Sequence, residues 1–145
     1  MMKTGEVFVK DLMKPARTIS SDMPISEALP LLKKTELGFL SVIDENGKLI
    51  GAVCESSFMR LVKHTPNSPL EEPVWYDSLE PDEGKKPVEA IMTTNITTAR
   101  PDDDVRTALK VMSSAGYRFI HVVDSDGRLL GVMRLCDVFE KLLGD

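Results

Sequence analysis

Side chains that ordinarily carry covalent or proton-transfer chemistry are few in this chain and badly spaced for it. His64 falls in a proline-rich stretch and His121 inside an apolar run, where it reads first as a buried histidine and only second as a pH switch. Cys54 and Cys136 have no CxxC spacing and do not occupy equivalent places, so neither a disulfide nor a metal site has its ligands. They read as small buried hydrophobes. No nucleophile stands with a base and no glycine-rich phosphate loop occurs, which leaves the catalytic and metal sets empty. What remains is charge that could hold a ligand: Asp137, with Arg134 three residues before it, and two further arginines, Arg100 and Arg118. Arginine forks recognise anions such as phosphate. Plainer readings stand beside that one, because an aspartate at a helix start caps the helix and surface arginines are usually solvated.

The elements that must position these residues occur twice. Positions 18–62 align with 98–142 at a constant offset of 80, without gaps and with ten identities over 45 positions. A lead-in run, Val9-Lys10-Asp11-Leu12-Met13, answers Val88-Glu89-Ala90-Ile91-Met92 after one inserted residue. A repeat of this length is a small folded unit, since solenoid periods run about 20–50 residues. Each copy reads as extended segment, helix, strand, turn, strand, helix.

In the second copy, any of Asp102, Asp103 and Asp104 can cap the helix that follows. Val105, Ala108, Leu109, Val111 and Met112 recur at helical spacing, and Gly116 ends the run. Two apolar strands around Asp124-Ser125-Asp126-Gly127 read as a hairpin, and positions 135–143 as an amphipathic helix. In the first copy Asp22 is the expected cap, Pro24 suits the first turn, and Asp44-Glu45-Asn46-Gly47 is the hairpin turn. Pro30 falls inside the expected helix; an interior proline costs about 3 kcal/mol and predicts a bent or short helix. The chain thus divides into a repeat over 7–62, a proline-rich linker over 63–86 carrying Trp75 and Tyr76, and a repeat over 87–143. The linker is either a disordered spacer or a segment that folds back to bury its two rings.

Bulk properties narrow the class. A chain of 145 residues with 42% hydrophobic content can bury a core. A net charge of −5 argues against nucleic acid and anionic membrane as partners. No apolar stretch reaches the ~20 residues that span a bilayer. The first residues lack a signal-peptide run, so the expected address is cytoplasmic.

The ordered set of motifs resembles the cystathionine-β-synthase (CBS) domain, twice over. It rests on Asp44-Glu45-Asn46-Gly47-Lys48-Leu49-Ile50-Gly51-Ala52-Val53 and Asp124-Ser125-Asp126-Gly127-Arg128-Leu129-Leu130-Gly131-Val132-Met133, and on the phrases Asp11-Leu12-Met13 and Ala90-Ile91-Met92-Thr93. The resemblance implies an α/β (α+β) architecture: two repeats, each a small mixed sheet on two helices, related by a pseudo-twofold axis and forming the pair called a Bateman module. It implies a homodimer, an adenosyl ligand (AMP, ADP or ATP class) held in clefts between the repeats, no required cofactor, and regulation of a separate effector protein rather than catalysis.

Carried over residue by residue, the base-lining segment falls on Thr98, Ala99 and Arg100 in the second copy and on Thr18, Ile19 and Ser20 in the first. The ribose carboxylate falls on Asp137, a sensible partner for two hydroxyls; the first copy has Ser57 there. Where the family has Ser or Thr facing phosphate, this chain has Arg134 and Cys54. A basic residue near the phosphates falls on Arg118 and is Gly38 in the first copy. The strand proline is replaced by His121 and Ser41. The implied result is one competent site per chain, keyed to the second copy, with a degenerate counterpart in the first. Arg134 either favours extra phosphate or obstructs the cleft by its bulk. The alternative function is a ligand-free dimerisation or interaction platform.

Overall fold

A computed structural model describes residues 7–62 and 82–144, so Trp75, Tyr76 and His64 lie outside the described residues. The elements run α1 (Val9–Leu12), β1 (Thr18–Ser20), α2 (Ile25–Lys34), β2 (Phe39–Ile43), β3 (Leu49–Cys54), β4 (Thr98–Ala99), α3 (Val105–Ala115), β5 (Phe119–Val123), β6 (Leu129–Arg134) and α4 (Leu135–Leu143). Three short 3-10 helices, Glu55–Leu61, Glu83–Lys85 and Val88–Ala90, complete the set. The strands form two three-stranded sheets, ordered β1-β2-β3 and β4-β5-β6. In each the short first strand is parallel to the second, with Thr18 beside Ser41 and Thr98 beside His121.

The chain forms two compact units that do not follow the sequence repeats. One gathers the N-terminal residues up to Ala16, Glu45–Leu49 and Asn95 onward; the other holds Arg17–Asp44 and Ile50–Thr94. Each unit is therefore the body of one repeat with the lead-in of the other.

The first unit is built on Val105, Ala108 and Met112 of α3, Ile120 and Val122 of β5, Met133 and Val138, with Val7 and Val9 from the chain start packed among them. Val9 N–H donates to Asp103 O at 2.9 Å, Lys10 N–H to Pro101 O at 3.0 Å and Val105 N–H to Val7 O at 3.0 Å. Lys14 then pairs with Val132 in both directions, at 2.7 and 2.8 Å. Gly131 makes that approach possible: a Cβ there would sit 2.7 Å from Lys14 O. The tip of the first hairpin also belongs to this unit, and Leu129 N–H donates to Gly47 O at 2.9 Å while Leu49 N–H donates to Gly127 O at 3.0 Å.

The second unit repeats the scheme with the other lead-in. Val88 N–H donates to Met23 O at 2.8 Å, Glu89 N–H to Ser21 O at 3.1 Å, and Thr93 and Ala52 pair in both directions at 2.9 and 3.0 Å. Gly51 is again the close-approach residue, facing Met92 and Thr93 O. Val88 and Ile91 join Ile25, Ala28, Leu40, Val42 and Val53 in the core. A fully buried aliphatic side chain contributes about 1.5–3 kcal/mol, so Val9 and Val88, both at 0% exposure, make each lead-in part of its unit rather than a strap over it.

Several local expectations hold. Gly116 ends α3 in the left-handed region at φ 71°. Asp124 Oδ1 accepts from the N–H groups of Asp126 and Arg128, closing the hairpin turn. Others are corrected. Asp104 caps α3, accepting from Arg106 N–H at 2.8 Å, but its counterpart in α2 is Pro24, which has no side-chain acceptor. Asp22, the expected cap, accepts instead from Ser20 Oγ at 2.6 Å. Pro30 does not end α2, which runs on to Lys34 and has 10 residues against 11 in α3. Pro30 and Ser26, whose carbonyl loses its helical N–H, are both exposed, where solvation of that carbonyl offsets the loss. The closing helix of the first copy is 3-10 rather than α. Ser57 Oγ there accepts from Cys54 N–H at 3.0 Å, and such local side-chain bonds compete with regular helix.

Candidate functional site

α4 packs one face on the core of its unit. Val138 is buried, with Leu135 and Leu142 packed on the same core. The opposite stripe, Asp137, Glu140, Lys141 and Gly144, follows the i, i+3, i+4, i+7 spacing of one helix face. The stripe lines a cavity of about 330 Å³ whose other wall is the lead-in segment, Asp11 to Lys14. That volume lies at the small end of ligand pockets, about 300–1,000 Å³. Two sequence repeats thus supply one cavity within one unit.

Asp137 sits in the first turn of α4, where its charge complements the helix dipole. Arg134 grips it with both arms of its guanidinium: Nε donates to Oδ2 at 2.9 Å and Nη2 to Oδ1 at 3.1 Å. Lys14 Nζ approaches Oδ1 at 3.5 Å. The Asp137 side chain is only 12% exposed, against 30% for Arg134 and 54% for Lys14. The Arg134 fork holds the carboxyl below its ordinary range, against the opposing effect of burial and with help from the Lys14 charge. This aspartate is an anion at neutral pH.

Arg118 is exposed and its carbonyl accepts from Leu135 N–H at 2.7 Å, while Phe119 pairs with Arg134 across β5 and β6. Arg118 and Arg134 therefore flank the start of α4. Arg100 follows β4, and the parallel register, Ala99 beside Val122, carries it toward the far end of β5. There its charge acts on Asp124, whose carboxyl is lowered chiefly by the N–H of Arg128. Some five residues of strand, about 16 Å, separate that end of β5 from Arg118. Thr98 is exposed and Ala99 is buried in the core.

The equivalent positions of the second unit are filled differently. Thr18 and Ser20 are exposed and Ile19 is buried. Ser57, in the place of Asp137, is buried and bonded to Cys54 N–H. Cys54, in the place of Arg134, has its Sγ 3.0 Å from Ser56 Oγ. Burial raises its thiol, but bonds from Ser56 and Ser57 outweigh that and leave it below its ordinary value. Arg60, in the place of Glu140, donates through Nη1 to the carbonyls of Ile91 at 2.9 Å and Met92 at 2.6 Å. Those carbonyls correspond to Leu12 and Met13, two residues of the cavity wall. In the second unit an arginine spans the place that stands open in the first.

Sequence reasoning missed Lys14, Glu140, Lys141 and Arg60. The opposed charges of Glu140 and Arg60 at one repeat position were the available signal. Among the described residues no group of three or more His, Cys, Asp or Glu could hold a metal ion. Among them, too, no helix is long and apolar enough to cross a membrane.

The family model for the CBS domain matches residues 9–64 and 88–144. The chain belongs to the CBS domain family. The uncharacterized protein MJ1426 of Methanocaldococcus jannaschii is 26% identical over 157 residues, spanning 96% of this chain and 94% of the relative. The CBS domain pair of protein MJ0100, solved with 5′-methylthioadenosine and S-adenosyl-L-methionine, has 29% identity and a TM-score of 0.69, covering 95% of this chain and 96% of that one. CBSX2, which occurs in Arabidopsis thaliana and is solved in complex with AMP, has 25% identity and a TM-score of 0.73 over 94% of this chain and 97% of that chain. Several longer curated relatives match as well, and the chain spans 24% or less of their length. The mixed α+β architecture with two small sheets, expected from the repeats, is the fold of these CBS pairs.

Proposed function

We propose that this chain is a non-catalytic regulatory module that binds an adenosyl ligand of the AMP, ADP or ATP class at one site, around Asp137. The observation that carries this reading is the largely covered, ionised Asp137 on the wall of an open cavity, gripped by Arg134, with the Arg118 carbonyl bonded to the start of the same helix. A carboxylate of this kind suits a pair of ribose hydroxyls, and the arginines suit phosphate. AMP in CBSX2 and the two adenosyl compounds in MJ0100 support the ligand class. Thr98 is the candidate base contact. One site per chain follows from the contrast with Ser57, Cys54 and Arg60. In this reading the chain acts as a homodimer on a separate effector, the ligand shifting a population between two arrangements by its differential affinity.

A thermal-shift series with AMP, ADP, ATP and S-adenosylmethionine tests the proposal, in protein freed of co-purified nucleotide. Tm should rise with ligand concentration by linkage, by several degrees at 100-fold excess over Kd. Asp137→Ala should abolish the rise. No shift at millimolar ligand would favour the second reading, a dimerisation platform without ligand. One observation speaks for that reading: Asp137 already has a partner in Arg134.

A further inference from the structure

Both oxygens of Asp137 are engaged within the chain. Arg134 Nε takes Oδ2, and Arg134 Nη2 and Lys14 Nζ share Oδ1. A carboxylate offers about four acceptor positions, so three cationic N–H donors leave room for about one more bond. A vicinal diol needs two. At 12% exposure, little of the side chain is open except where it meets the cavity. The carboxylate stands in the cavity wall but is spoken for, and its larger claimant is more exposed than it is.

We infer that Arg134 sets the ligand specificity of this site by exchanging partners. Resting on the adenosyl reading above, the exchange runs as follows. In the ligand-free chain the guanidinium fork holds Asp137. A phosphorylated adenosyl ligand offers Arg134 a second anion, the fork turns to the phosphate oxygens, and the freed carboxylate takes the ribose hydroxyls. Charge pairing is conserved: one arginine–carboxylate contact is replaced by one arginine–phosphate contact and two hydroxyl–carboxylate bonds. A nucleoside has no anion to draw the fork away, so it meets an occupied carboxylate. Arg134 thus excludes adenosine and admits its phosphates, and Lys14 keeps the carboxylate ionised throughout. Nothing comparable is available in the second unit, where the same two positions are Cys54 and Ser57.

Calorimetric titration of adenosine, AMP and ATP into the full chain, Arg134→Ser and Arg134→Lys tests the exchange. In the natural chain AMP and ATP should bind at least about ten-fold more tightly than adenosine, the scale of one charge-assisted hydrogen bond. In Arg134→Ser adenosine should tighten about ten-fold and the phosphates weaken, closing the gap. Arg134→Lys keeps the charge without the fork and should give an intermediate ratio. Adenosine binding unchanged or weaker in Arg134→Ser, with AMP still bound, would overturn the exchange and leave Arg134 as a clamp that positions Asp137. A chain that binds none of the three ligands, in natural or Ser form with unchanged circular dichroism, would remove the adenosyl reading, and the exchange with it.

Discussion

The two units share a backbone and differ in what fills it. Both pair a lead-in with the last strand of a sheet, at Lys14–Val132 and at Thr93–Ala52, and both place a glycine where the chains meet. Beyond that frame they diverge. The first unit puts Asp137, Glu140 and Lys141 around an open cavity, and the second spans the same place with Arg60 and ties Ser57 to Cys54. A duplicated framework needs its glycines and core valines in both copies, because they determine whether the unit folds. The polar positions are free to diverge, and here one copy holds charge while the other holds itself closed.

The largest difference should show in acid. His121 of β5 and its counterpart Ser41 are both buried, but only His121 titrates. Burial lowers its pKa from 6.5 to about 4. Between those values the unfolded chain binds the extra proton, so stability is complete above pH 6.5 and falls as pH drops toward 4. The loss should reach about 3 kcal/mol, read from urea unfolding midpoints across that range. His121→Gln should flatten the slope. Asp137 does not contribute in this window, because its pKa is already below the ordinary carboxylate value and its stabilisation is lost only at lower pH.

Next come the paired glycines. Gly131→Ala would drive a Cβ to 2.7 Å from a backbone oxygen, Lys14 O, and should destabilise by about 2 kcal/mol. At Gly51 the nearest atom is the Sδ of Met92, at the far part of a flexible side chain, with Thr93 O at 3.1 Å. Gly51→Ala should lose about 1 kcal/mol or less. Equal losses would mean that the two lead-ins are held alike after all.

Smallest is the pair Arg60 and Glu140. Arg60→Ala removes two bonds to carbonyls and should destabilise by about 1 kcal/mol. Glu140→Ala, on the cavity wall, should stay within about 0.5 kcal/mol. A reversed order would contradict the picture of one closed place and one open one.

Much of the fold was legible. Helical spacing pointed to α3, the Asn46-Gly47 and Asp126-Gly127 turns to the two hairpins, and Gly116 to a helix end. Identity between the copies misled at Asp22 and Asp102, which coincide in sequence without sharing a job. Asp102 pairs with Lys10 at 3.1 Å, and the capping position lies two residues on, at Asp104 and Pro24. The exchange of lead-ins was not legible, because the bonds that fix it join residues more than 40 positions apart and no local propensity encodes them. Lys14 was invisible for the same reason. Arg134 and Asp137 were readable as residues, but their grip on each other depends on rotamers that spacing alone does not set.

The exchanged lead-ins also bear on ancestry. A single repeat made alone would carry a lead-in and a body that in this chain belong to different units. Two such molecules could satisfy one another only by meeting, and the meeting would depend on their concentration. Joining two copies in one gene makes that encounter intramolecular and so independent of concentration. The fused chain completes both units however dilute it becomes, and is thereby free to let its two halves evolve apart.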